Sequence, residues 1–145
     1  MFSASRMTLA RRRRGRSLVD LSGQVGVSAQ SLSNYENSRQ EPSAQVVENL
    51  AESLGFPEEF FHSPDVDFLV ASDVSFRARS KLAARKRDMA LSTGRLAMEF
   101  HEWMSQRFNM PAPDLPSLNK PDPETAAAMV RGRWGLGVYA PVRAP

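Results

Sequence analysis

Gly26 is the residue that most restricts how this chain can fold. Before it, Leu21 and Val25 stand four apart, on one face of a helix. Ser17 can cap that helix, and Asp20 three residues on completes a variant of the capping box. After it, Ser28 can cap a second helix in which Leu32 and Tyr35 share a face. Glycine enters a left-handed turn without the Cβ clash that other residues meet, so Gly26 ends the first helix and redirects the chain. The outward positions of the second helix, Ala29, Gln30, Ser33 and Asn34, are small or carry amides. Two short helices around a tight turn, apolar inside and short polar outside, are therefore predicted.

That pattern is the sequence form of a helix-turn-helix, although many helical hairpins would read similarly. Its neighbours point to DNA. Arg11 to Arg16, broken only by Gly15, lies upstream, and the polar loop Asn37-Ser38-Arg39-Gln40-Glu41-Pro42 follows. Leu21, Val25-Gly26-Val27-Ser28, Leu32-Ser33-Asn34-Tyr35-Glu36-Asn37, Pro42 and Leu50-Ala51-Glu52-Ser53-Leu54-Gly55 together resemble the Xre group of repressors, with the lambda-repressor-like fold. The resemblance spans about residues 1–62 and implies a double-stranded DNA operator as partner. Ala29, Gln30, Ser33 and Asn34 would read bases from the major groove, because Gln and Asn can pair bidentately with adenine. Arg12, Arg13, Arg14, Arg16, Ser28 and Arg39 would contact phosphates, which orient a protein without reading sequence. The resemblance also pairs Arg11 with Glu36. One departure stands out: the Gln that usually starts helix 2 and reaches a phosphate is here Leu18. The Arg11–Arg16 run would then substitute for that anchor.

Charge is segregated rather than mixed. The net charge is only +3, yet residues 1–16 hold six arginines and no acid. Residues 17–62 hold one base, Arg39, against seven acids. A second basic cluster, Arg77, Arg79, Lys81, Arg85, Lys86 and Arg87, follows. Such segregation is the footprint of a surface that binds a polyanion. The second cluster is read either as a further DNA contact or as a partner for the acids of the first domain.

Hydrophobic periodicity organises the rest into an all-α chain. Helix 1 is expected over 4–14, with Met7 and Ala10 inward. Ser43 and Gly55 bound helix 4, and Pro57 starts a short fifth helix that closes the core with Phe60 and Phe61. The expected organisation is a five-helix domain over 1–62, a linker over 63–80, and a smaller helical second domain over 81–145. In the latter, a long helix ends near Phe108, and Gly94 marks a kink or close packing. A last helix is capped by Asp122 and runs to Trp134. Trp103 and Trp134 are read as core anchors. Met89, Leu96, Phe100 and Trp103 share a face that serves either this core or a homodimer through the 81–108 helix, the alternative being a monomer on an asymmetric site.

Ser75-Phe76-Arg77-Ala78, Arg85-Lys86-Arg87-Asp88 and Arg133-Trp134-Gly135-Leu136-Gly137 resemble the connector of regulators that fuse an Xre domain to an ImmA/IrrE-type metallopeptidase. Only eight residues follow that last segment, so the resemblance implies that the peptidase is absent, as in a prophage or phage immunity repressor. Catalytic chemistry is not expected. His101-Glu102-Trp103-Met104-Ser105 lacks the second histidine of a zinc helix, and the chain has two histidines and no cysteine. No metal or cofactor is anticipated. No apolar run nears the roughly 20 residues of a membrane span. A cytoplasmic repressor is the expectation, with an antitoxin-like protein-interaction module as the alternative.

Overall fold

The computed structural model describes residues 1–70, 72, 83–112, 116–117 and 122–136. Among them every regular element is helical: α1 Ala4–Arg13, α2 Leu18–Val25, α3 Ala29–Glu36, α4 Ala44–Leu54, a 3-10 turn Glu58–His62, α5 Ala84–Arg107 and α6 Pro123–Arg133. Packing divides the chain into two compact units, Met1–Arg107 and Phe108–Pro145.

Serine starts each of the first four helices. Ser3, Ser17, Ser28 and Ser43 take extended backbone angles, and each hydroxyl accepts from an amide three residues on. Ser17 and Asp20 form the full reciprocal box, with Asp20 Oδ2 accepting from the Ser17 amide at 3.0 Å. Those bonds, with Arg85 and Arg16 nearby, hold the Asp20 carboxyl below its usual range. Gly26 ends α2 at φ 78°, in the left-handed region the sequence demanded.

The core forms between α1, α2, α3, α4 and the 3-10 turn. Met7, Ala10, Leu21, Val25, Leu32, Tyr35, Val47, Leu50, Leu54 and Phe61 are buried there. Each large side chain so buried contributes about 1.5–3 kcal/mol. Asn49 Nδ2 donates to the Val25 carbonyl at 3.0 Å, tying α4 to the end of α2. The fifth helix of the sequence reading is this single 3-10 turn, because the aromatic pair Phe60–Phe61 is held by ring contacts rather than by an extended helical face.

α1 is buried on more than one side. Arg6, Met7, Thr8, Leu9 and Ala10 are all buried, although Met7 and Ala10 alone were expected inward. The reason is α5, which packs along α1. Arg6 reaches Glu99, Leu9 lies near Leu91 and Ser92, and Gly15 lies against Met89, so the two helices run antiparallel. The segment 63–70, expected as the start of a linker, is strapped back onto α1. Ser3 and Ser5 hydroxyls donate to Asp65, the Val66 amide donates to Ser5 Oγ at 3.0 Å, and Leu69 reaches Gly94. Gly94 thus marks close packing, and α5 passes through it unbroken. α5, expected with the C-terminal residues, packs on α1 within the first unit.

Met89 therefore faces α1 rather than a second copy. Beyond Glu99 the same face of α5 outruns α1. Phe100 remains 63% and Trp103 45% exposed, so Trp103 is not the core anchor expected. In the second unit, Asp122 caps α6 with Pro123 in its first turn, and Trp134 is 46% exposed.

Candidate nucleic-acid interface

α3 separates two jobs by side. Leu32 and Tyr35 are buried, while Gln30 is exposed and Ala29, Ser33 and Asn34 are half-buried. Gln30 and Asn34 stand one turn apart, and Gln30 Nε2 donates to Asn34 Oδ1 at 3.2 Å. The linked pair leaves Gln30 Oε1 and Asn34 Nδ2 without a partner among the described residues, one acceptor and one donor. Ser28 is occupied as the cap of α3, accepting from the Ser31 amide at 3.0 Å.

The far end of α3 is fixed to α1. Arg11 Nε and Nη2 donate to the two carboxylate oxygens of Glu36 at 2.7 and 2.8 Å, with the side chains 15% and 11% exposed. A bidentate fork of this kind sets orientation as well as distance. Ser38 then takes φ 55°, left-handed for a residue that is not glycine. Its amide and that of Arg39 satisfy the carbonyls of Tyr35 and Asn34, so Arg39 leaves the end of α3 at a fixed point and is exposed.

The arginines of α1 divide more sharply than the sequence suggested. Arg14 was expected at a phosphate, yet its Nε donates to the Leu54 carbonyl and its Nη2 to Gly55 at 3.1 Å. It also lies 5.3 Å from the Phe56 ring. Carbonyls at the end of α4 lack helical partners and carry the negative end of the helix dipole, which explains the choice. Arg12 lies over Phe68 at 5.1 Å, Arg13 is half-buried, and Arg16 is exposed.

One important residue went unseen in the sequence. Arg6 donates to Glu99 through Nη1 and Nη2, each at 3.1 Å, and through Nε to the Pro64 carbonyl at 2.7 Å. Arg95 adds a second cation 3.6 Å from Glu99. The only sequence signal was an arginine beside the apolar Met7 and Leu9.

Of the second basic cluster, Arg77, Arg79 and Lys81 lie outside the described residues. Arg85, Lys86 and Arg87 occupy the first turn of α5 and are exposed. Arg85 turns towards the α1–α2 junction, 4.0 Å from Asp20.

The side that α3 presents is thus short, polar and amide-bearing, on a helix held by a core below and an ion pair at its end. No described helix is long and apolar enough to cross a membrane. Nothing among the curated proteins or the solved structures matches the chain. A family model does: residues 4–60 match a helix-turn-helix domain, and every regular element among the described residues is helical.

Proposed function

We propose that the chain is a sequence-specific transcriptional repressor of the Xre type, binding double-stranded DNA with α3 in the major groove. The observation that carries the reading is the sidedness of α3: Leu32 and Tyr35 in the core, Gln30 and Asn34 outside, on a domain of the matching family. Residues 1–62 would recognise the operator. Arg12, Arg13, Arg16 and Arg39 would supply affinity, and Arg85, Lys86 and Arg87 would lengthen the footprint. The reading is of a cytoplasmic binding protein rather than an enzyme, with phage or prophage immunity as its natural setting. A monomer on an asymmetric site suits it better than a dimer through α5, since Met89 already packs on α1. One observation favours a second role: Met98 and Phe100 on α5 are 45% and 63% exposed, a surface for a protein partner.

Footprinting on DNA upstream of the gene tests the main reading. Gln30→Ala should weaken the specific site by about 1–3 kcal/mol and leave random duplex binding unchanged. Equal loss on both would remove Gln30 from base reading. Absence of any protected site would leave the protein-interaction role.

A further inference from the structure

The α1–α2 junction and the first turn of α5 border an open cleft of about 250 Å³, lined by Arg11, Arg12, Gly15, Arg16, Ser17, Arg85 and Asp88. That is several times the roughly 30 Å³ that one water occupies in the liquid. Its walls come from three elements that meet at Gly15. The α1 turn closes with the Gly15 amide on Arg12 O and the Arg16 amide on Arg11 O, which requires the left-handed φ of 59° at Gly15. A Cβ there would lie 2.6 Å from Met89 Sδ and 3.2 Å from Arg85 Nε. Glycine is thus what lets α5 approach closely enough to bring Arg85 over the junction.

The guanidinium groups differ in how far they are committed. Arg11 is fully engaged, by Glu36 and by the Arg16 carbonyl at 2.8 Å. That last bond also fixes the backbone from which Arg16 projects. Among the described residues neither Arg16 nor Arg12 makes a side-chain hydrogen bond, and Arg12 lies over the Phe68 ring. Arg85 lies 4.0 Å from Asp20 with its side chain 65% exposed, a pairing too long and too wet to hold it. Three arginines without a close ion pair therefore line the cleft beside one lining carboxylate, Asp88, with Asp20 near Arg85 and Arg16. Arginine forks match the oxygens of a phosphate.

We propose that this cleft binds a single phosphate group, shared between Arg16 and Arg85 with Arg12 behind them. The site is completed by Arg85, a residue outside the helix-turn-helix. If the phosphate belongs to duplex DNA, the site rests on the repressor reading. A free phosphorylated ligand would use the same chemistry without it.

The test uses the full chain with Arg16→Gln, Arg85→Gln and the double variant. Duplex binding is followed across a salt series. One shared phosphate predicts that each single variant lowers the log–log slope by up to about 0.9, and the double by no more than about 0.9 in total. A double variant that lowers the slope by twice that amount would mean two independent contacts and overturn the shared site. So would Arg85→Gln behaving as wild type. A second arm titrates pyrophosphate while recording the arginine side-chain NMR signals. Shifts at Arg16 and Arg85, lost in the double variant, identify a free ligand as a source, even for a chain that fails to bind duplex DNA. Neither DNA nor pyrophosphate engaging these two residues would end the proposal.

Discussion

α1 is held on two sides by different physics. Towards α2, α3 and α4 it meets hydrocarbon: Met7 and Ala10 join Leu21, Leu32, Leu50 and Phe61, all fully buried. Towards α5 it meets a mixed seam, with Leu9 buried at the middle and the Arg6–Glu99–Arg95 cluster beside it. On the core side the Arg11–Glu36 pair is matched by a two-bond fork, so stability there follows area. The seam leaves Arg95 Nε buried without a hydrogen bond, and Ser92 is the only fully buried residue of α5. Hydrocarbon packing sets how stable the domain is; the charged cluster sets where α5 sits.

The largest expected effect breaks both sides together. Leu50→Ala leaves a cavity under α1 and should cost about 2–5 kcal/mol. Because α5 rests on α1, its signal should melt with the core in one transition. Separate melting of α5 would show that it folds on its own.

A smaller effect should touch the seam alone. Glu99→Gln leaves Arg6 buried without its carboxylate, at a cost of about 1–3 kcal/mol. Hydrogen exchange should quicken along α5 and stay slow in α4. Unchanged exchange in α5 would assign the seam to Leu9, Leu69 and Met89 instead.

The smallest lies where the two sides meet. Asp20 caps α2 and attracts Arg85, and its folded carboxyl titrates below the usual 3.8. A lowered folded value means that the contribution is complete above that pH and falls away as pH drops through the lower value. Asp20→Asn should flatten that limb of an acid titration of stability. An identical acid limb would place the effect elsewhere, Asp65 being the next carboxylate lowered by its serine partners.

Which parts were legible in the sequence follows the same division. Helices α2 to α4 could be placed because each begins at a serine, α1 from its inward Met7 and Ala10, and the turns at Gly26 and Gly55 need a left-handed residue. The outward amides of α3 were legible for the same local reason, since its apolar spacing assigns the rest of the surface. The α1–α5 seam was not. Arg6 and Glu99 are 93 residues apart, and no periodicity links an arginine on one helix to a carboxylate on another. Arg14 was hidden by its own neighbours: in a run of four arginines, composition cannot tell the one that meets Leu54 and Gly55 carbonyls from those left outside. Trp103 misled because its place on the inward face of α5 says nothing about where α1 ends.

The close approach at Gly15 also has a thermodynamic consequence. A phosphate gripped by Arg16 and Arg85 would bridge the α1–α2 junction and α5. DNA would then favour the docked state of α5 by the same factor by which docking favours DNA. Anything that lifts α5 from α1 would release the operator without touching α3. DNA contact would then depend on α5 staying docked, and α3 would not need to move.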